Sequence, residues 1–401
     1  MAFGHQRLES RRLLLREISK GGRIPRIDLA ERTGISRATV TAVTADLLKG
    51  GLIEEIPRDP EAEDSARGRP KIDLKISGNA HLVAGLKVSG HSISFVLMDF
   101  EGADIETHEE ALPNSTMTPV GLADAIARGL DALAAKVDGS VADLSGLGVG
   151  LAGLVQADTG LVHWSPSLTQ RNVNLHDVLS ARLGLPVFAD NDANLVAMAE
   201  LTFGLGRDHS DFIVITIESG VGMGLVLGGQ IYRGTRGCGA EFGHTKINFE
   251  GALCRCGQRG CLEAYVADYA LVRDASSVLD IDPKGSTAEA VAQVLAAARA
   301  GHGAARNVVD RAGRMFAVGL ANLVNVFDPQ LIILAGEQMQ FDHLYADAVI
   351  DEMRKSIVQV DKPPPRVEIH KWGNLMWARG AAAYALEFVQ DIAVESLDHA
   401  R

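Results

Sequence analysis

One histidine and three cysteines share a short window of this chain: His244, then Cys254-Arg255-Cys256 after nine intervening residues, then Cys261 after four more. Thiolate and imidazole donors suit a tetrahedral ion, and one His with three Cys makes a closed structural zinc site. Gly257 and Gly260 allow the tight turns that fold such a loop back on its metal. Only Cys238 lies outside the window. A Zn²⁺ site therefore accounts for the cysteine usage better than a disulfide framework does. Free thiols, or a disulfide between two of them, are the other readings. If an ion folds this loop, Glu241 and Glu263 at its two ends are presented together.

A chain of 401 residues exceeds one ordinary core, so two or three domains are expected. No apolar run is long and uncharged enough to span a bilayer, and the arginine-rich stretch from Met1 to Ser19 lacks the apolar centre of a signal peptide. With a thiol-based site, these features point to the cytoplasm and away from a membrane partner. The net charge of −12 conceals an asymmetry: residues 1–80 hold 15 Lys/Arg against 12 Asp/Glu, and the remainder 24 against 39. A basic piece on an acidic body suggests that only the first part meets an anionic polymer.

That first part reads as a winged helix-turn-helix. Leu8 to Ile18 has helical apolar spacing, Ile27 to Arg32 is a short second helix, and Thr33-Gly34-Ile35 is a tight turn. Ser36 is a good N-cap for a third helix from about Arg37 to Lys49, with Val40, Val43 and Leu47 as its buried stripe. Ser36, Arg37, Thr39, Thr41 and Thr44 are the candidates for contacting bases or phosphates, because the second helix of such a motif enters the major groove. Gly50-Gly51 stops that helix. Leu52 to Ile56 and Lys71 to Ile76 read as a hairpin. Its tip ends in Arg67-Gly68-Arg69-Pro70, two arginines suited to a narrow minor groove. A small helical bundle packed only against the body, with a solvated loop, is the competing reading.

From about His81 the pattern changes to apolar runs divided by glycine. His81 to Asp99 reads as a hairpin, and Leu144 to Leu154, Pro186 to Ala189, Asp211 to Ile217 and Leu331 to Leu334 as buried strands. Helical stretches lie between and after them, such as Pro119 to Val137, Arg306 to Val326 and Trp377 to Ile392. Such alternation predicts α/β layers, and two lobes of this kind would leave a cleft for a small molecule. Asn191 and Asp192 follow a short strand, where amide and carboxylate groups suit bidentate recognition of vicinal hydroxyls. A carboxylate there can also act as a general base.

The zinc loop, the Asn191-Asp192-Ala193 motif and the turn Tyr232-Arg233-Gly234 resemble the ROK family of bacterial sugar kinases and transcriptional repressors. With the winged helix, the chain resembles the NagC/Mlc/XylR type of repressor over about Leu8 to Val389. The resemblance implies a two-lobed actin/hexokinase-like fold with a structural zinc loop. On it, residues 1–80 form the DNA-binding domain and 81–190 a small lobe joined by a C-terminal helix at about 378–393; residues 191–377 form a large lobe. It also implies zinc ligands at His244, Cys254, Cys256 and Cys261, and sugar-hydroxyl ligands at Asn191, Asp192, Glu241, His244 and Glu263. His244 would serve both, one ring nitrogen facing zinc and the other the sugar. In family kinases the aspartate matching Asp192 is the base that activates the sugar hydroxyl.

Departures from the family pattern bear on kinase against regulator. Where the family has Asp-x-Gly-Gly-Thr as its first phosphate loop, this chain has Lys87-Val88-Ser89-Gly90-His91. A phosphate cradle needs small residues and a metal-linked carboxylate. The second loop, Ser219 to Gly224, is largely kept, although glycines at a strand turn also have purely structural uses, while Glu337 would repel a nucleotide phosphate. Ser167 stands where sugar-binding relatives often have asparagine, and Ala152, beside the retained Gly153, replaces a usual proline. The expected function is a zinc-stabilised transcriptional regulator, not an enzyme. It would act as a homodimer or homotetramer on an inverted-repeat operator, controlled by a sugar or sugar derivative. A sugar kinase fused to a DNA-binding module is the alternative, and a redox sensor using Cys238 a third reading.

Overall fold

The computed structural model describes residues 2–57, 72–282, 285–336, 339, 343–344, 346–371, 373 and 375–398. The chain divides into two compact units, Met1–Asp190 with Ala378–Arg401, and Asn191–Trp377.

The first unit begins with α1 (Ala2–Gly21), β1 (Ile24–Pro25), α2 (Arg26–Thr33), α3 (Arg37–Lys49), β2 (Ile53–Pro57) and β3 (Ile72–Ile76). Their strands form a sheet in the order β1-β3-β2, β3 lying antiparallel to both neighbours. Leu14, Leu15, Ile18, Leu29, Val40, Val43 and Leu47 are all buried among these elements. α2 ends at Gly34, whose φ of 69° is left-handed, a conformation cheap only for glycine. The Ser36 side chain accepts the Thr39 N–H and caps α3, satisfying a donor that the helix cannot. α1 is longer at both ends than apolar spacing alone predicts. Residues 58–71, including Arg67 and Arg69, lie outside the described residues.

The same unit continues with β4 (Leu82–Val88), β5 (Ser92–Asp99), β6 (Asp104–Ala111), α4 (Pro119–Ala135), β7 (Leu144–Leu151), β8 (Leu154–Gln156), β9 (Leu161–Trp164), β10 (Val173–Asn174), α5 (Leu175–Leu183) and β11 (Val187–Asn191). The main sheet runs β11-β7-β4-β5-β6, with β4 parallel to β7 and antiparallel to β5. Apolar residues of α4 and α5 pack with those of this sheet, including Leu86, Phe95, Ile126, Leu130, Leu147 and Leu179. Thr118 caps α4 and Pro119 occupies its first turn, where a missing N–H costs nothing.

The second unit contains α6 (Asp192–Phe203), β12 (Phe212–Ile217), β13 (Val221–Leu227), β14 (Gln230–Ile231), α7 (Glu263–Val266), α8 (Asp268–Ala275), α9 (Thr287–Arg299), α10 (Gly303–Phe327), β15 (Leu331–Ala335), α11 (Asp347–Ser356) and β16 (Arg366–Ile369). Its sheet runs β14-β13-β12-β15-β16. β12, β15 and β16 are parallel, and β13 is antiparallel to β12. Phe316 and Leu320 of α10 lie in one core with Ile213 and Ile215 of β12 and Leu262 beside the cysteine loop. Among the described residues, no helix is long and apolar enough to cross a membrane.

The last helix, α12 (Met376–Ser396), ties the first unit together. An ideal Cβ on Gly85 would lie 2.1 Å from the Ala378 carbonyl oxygen, and one on Gly148 1.8 Å from that of Ala381. The helix therefore lies directly on the backbones of β4 and β7. Towards its other end α12 meets the winged helix. Arg11 of α1, with a side chain 1 % exposed, bonds Asp46 of α3 at 2.9 Å and Asp398, just past α12, at 2.6 Å. Arg12 pairs with Asp391 and Glu395, and Arg16 with Glu387 and Asp391. Exposed pairs of this kind contribute little, but the buried Arg11 guanidinium joins α1 to both α3 and the end of α12, and its removal breaks both ties at once. Arg11→Ala should destabilise the first unit by about 2 kcal/mol, less than a fully buried pair because Arg7 still reaches Asp46. Urea unfolding of the full chain checks this, with Arg11→Lys falling between the two.

Candidate functional site

The second unit brings the metal-type donors together. The candidate ligand atoms of His244, Cys254, Cys256 and Cys261 all lie within 4.8 Å of one another. Bonds of about 2.3 Å around a tetrahedral ion put sulfurs about 3.8 Å apart. Cys256 Sγ and Cys261 Sγ are 3.7 Å apart, and Cys254 Sγ is 3.7 Å from His244 Nδ1. The donor set thus fits a four-coordinate ion, with Nδ1 as the imidazole's metal-side nitrogen. Gly257 and Gly260 adopt φ values of 87° and 76°. A Cβ on Gly260 would fall 1.7 Å from the Asn248 carbonyl oxygen, so only glycine closes that turn. Short antiparallel bridges, Lys246 to Cys261 and Leu253 to Arg259, zip the loop's two arms. Burial pushes the Cys254 thiol up to about 12. The exposed Cys256 is held below the ordinary thiol range. It is desolvated too, but the Gln258 backbone, hydrogen bonds with its two neighbouring thiols, and Lys246 outweigh that penalty.

The three carboxylates predicted for hydroxyl recognition also converge. Asn191 caps α6 with its side chain, and its Oδ1 and Asp192 Oδ1 each accept the Ala193 N–H at 2.9 Å. Glu263 opens α7, is buried, and accepts the Val221 N–H through Oε2 at 3.3 Å. Glu241 retains an exposed edge. Crowding by protein atoms and repulsion from Asp192 and Glu263 nevertheless raise its pKa to about 7. Such mutual repulsion means that Asp192, Glu241 and Glu263 share one electrostatic neighbourhood. Carboxylates crowded in this way are relieved by a ligand that donates several O–H groups.

The glycines between β12 and β13 position this group. A Cβ on Gly222 would lie 2.8 Å from the Ala193 Cβ, and one on Gly224 2.6 Å from the Ala193 carbonyl oxygen. These glycines seat α6, and with it Asn191 and Asp192, against β13. Gly243 meets the Val221 carbonyl oxygen at 2.3 Å in the same sense, which fixes the turn carrying Glu241 and His244. The second loop of the family pattern therefore has a packing role here. The first loop is a tight turn between β4 and β5, where the Ser89 N–H bonds the Ser92 carbonyl oxygen at 2.9 Å. Glu337 lies outside the described residues. Ser167 is buried, its N–H bonded to Ser165 Oγ.

On α3, Ser36, Arg37, Thr39 and Thr41 are exposed, in keeping with a binding face. Three of their side chains are locally engaged: Ser36 with the Thr39 N–H and hydroxyl, and Thr41 with the Arg37 carbonyl oxygen. Thr44 corrects the sequence reading. It is fully buried, accepts Arg26 Nε at 3.1 Å and donates to the Thr41 carbonyl oxygen. It sits one position beyond Val43 on the inward stripe, so a polar type concealed a core position.

Sequence reasoning also missed Tyr269 and Lys246. Tyr269 Oη lies 3.7 Å from Cys254 Sγ and 3.5 Å from Glu263 Oε1, and Lys246 Nζ 2.9 Å from Cys261 Sγ. Neither residue belongs to a spacing that signals a metal or a sugar, although Lys246 is two positions from His244.

Residues 83–387 match the ROK family model, and residues 7–54 a winged helix-turn-helix DNA-binding model. The chain is 29% identical to the xylose repressor of Bacillus spizizenii over 87% of each protein. It is 33% identical to a glucokinase of Streptomyces coelicolor, over 69% of this chain and 86% of the kinase. Among solved structures, a ROK family transcriptional regulator described as a homologue of the Escherichia coli MLC protein superposes with a TM-score of 0.79. That match covers 98% of this chain and 100% of the other at 23% identity, a likeness of fold.

Proposed function

The chain belongs to the ROK family and carries a winged helix-turn-helix, and from these two facts together we infer a DNA-binding transcriptional regulator controlled by a sugar. The observation that carries this reading is the coexistence of an exposed α3 face with converging carboxylates at Asp192, Glu241 and Glu263. The genes controlled are those of carbohydrate uptake or metabolism, as the name of the xylose repressor suggests. Asn191, Asp192, Glu241, His244 and Glu263 bind the sugar hydroxyls. Zinc at His244, Cys254, Cys256 and Cys261 is structural: it orders the loop between Glu241 and Glu263. Residues 1–80 bind DNA, with 81–190 and 191–377 as the lobes of the sensor. A DNA partner fits a cytoplasmic protein.

Phosphoryl transfer is the weaker reading despite the glucokinase similarity. Lys87, Ser89 and His91 replace the acidic residue, a glycine and the threonine of the first phosphate loop, and a carboxylate is missing where a metal-bound nucleotide needs one. A two-fold dimer would set two α3 helices about 34 Å apart, so the operator is an inverted repeat. Ligand can shift DNA affinity only through its different affinities for the two forms of the protein.

Titration with DNA from upstream of the protein's own gene tests this. Arg37→Ala should weaken binding about 10-fold to 100-fold, and Arg69→Ala should weaken it if the wing enters the minor groove. Unchanged affinity in both variants would remove the assigned contacts. Turnover of ATP with a hexose, lost in Asp192→Asn, would favour the kinase.

A further inference from the structure

A site of three thiolates and a neutral imidazole around Zn²⁺ carries a net charge of −1 by simple addition. Here it sits beside Glu263, whose Oε1 is 3.5 Å from Cys254 Sγ. An uncompensated anionic cluster next to a buried carboxylate is held together weakly, because like charges at this distance repel. Two side chains donate to the thiols. Lys246 Nζ lies 2.9 Å from Cys261 Sγ, and Tyr269 Oη lies 3.7 Å from Cys254 Sγ while also reaching Glu263 Oε1. Arg255 lies over the Tyr269 ring at 4.0 Å from its centroid, within cation–π range, which holds the ring in place.

We propose that Lys246 and Tyr269 are positioning residues of the metal site: Lys246 supplies the positive charge that balances the three-thiolate centre through Cys261, and Tyr269 ties Cys254 to the sugar-binding Glu263. Half-buried between the loop's arms, Lys246 is held by the backbone bridge that pairs it with Cys261. From there its ammonium reaches Cys261 Sγ. A charge-assisted N–H···S bond fixes the position of the sulfur and balances its negative charge, so the ligand stays poised for the metal. Tyr269 has one O–H to give and two acceptors within reach, so metal binding at Cys254 and hydroxyl binding at Glu263 draw on the same proton.

The inference rests on the zinc reading, and the experiment separates the two. Full-length protein is purified, its zinc content measured, and zinc release to the chromophoric chelator 4-(2-pyridylazo)resorcinol followed. Wild type should hold one equivalent of zinc; its absence would overturn the metal reading itself. Lys246→Met should lower zinc affinity about 10-fold to 100-fold, with Lys246→Arg close to wild type. Tyr269→Phe should weaken zinc retention and sugar affinity together. Zinc held equally tightly by wild type, Lys246→Met and Tyr269→Phe would overturn the proposal while leaving the zinc site intact. Far-ultraviolet circular dichroism of each variant shows whether the fold is kept. A variant that loses zinc only by unfolding, with Lys246→Arg also unfolded, would count against charge compensation.

Discussion

Cys256→Ser should lose bound zinc and sugar binding in one step, while the winged helix stays folded. The loop from Thr245 to Gly260 has little core of its own: among these residues only Cys254 and Gly260 are buried, and Phe249 and Leu253 face solvent. Apolar burial cannot hold such a segment against its conformational entropy. Structural zinc supplies about 10–16 kcal/mol of apparent binding energy in small zinc domains, ample to order it. Serine removes one of four ligands. The loop then frees Glu263 and Glu241 from their mutual placement, and sugar affinity should fall more than about 100-fold, since several hydrogen bonds to charged groups are lost together. Metal analysis and calorimetric sugar titration check this. A zinc-free variant with wild-type sugar affinity would show that the loop holds itself.

The second large effect is expected far from any ligand, at Gly148. Its added Cβ would sit 1.8 Å from the Ala381 carbonyl oxygen and 2.4 Å from that residue's carbonyl carbon. Backbone atoms inside a helix cannot swing aside as a side chain does, so α12 must lift from β7. Overpacking typically costs 1–3 kcal/mol, and a rigid neighbour puts Gly148→Ala at about 3 kcal/mol or more. Gly184→Ala is the control. Its Cβ would meet nothing within 4 Å, yet its φ is 73°, so only the left-handed backbone is penalised, at about 1–2 kcal/mol. Urea midpoints of the two variants should differ clearly. Because Asp398, just past α12, is a partner of the buried Arg11 of α1, Gly148→Ala should weaken DNA binding as well, and Gly184→Ala should not.

What could be read in advance follows from how local each signal is. The metal donors were legible because their chemistry is rare and their spacing short. The turn at Gly34, the cap at Ser36 and the hairpin from Leu82 to Asp99 were legible because each is decided within a few residues. Thr44 was misread because type suggested exposure while its place on α3 dictates burial. Arg11 was invisible for another reason: its partners stand 35 and 387 positions away, and no periodicity encodes that separation. Gly222 and Gly224 fitted both a phosphate loop and a structural turn, and the packed helix shows what they seat: α6 against β13. Lys246 and Tyr269 are common residue types, and only distance distinguishes them as neighbours of thiols.

The central claim is that one protein couples sugar binding to DNA binding. It is tested most directly by titrating the full-length protein with DNA from upstream of its own gene, with and without each member of a sugar library. At least one sugar should change DNA affinity about 5-fold to 150-fold, the usual range of allosteric coupling, and Glu263→Gln should abolish that change while leaving sugar-free DNA binding intact. DNA affinity that no sugar alters, in a protein that binds sugar measurably, would contradict the account.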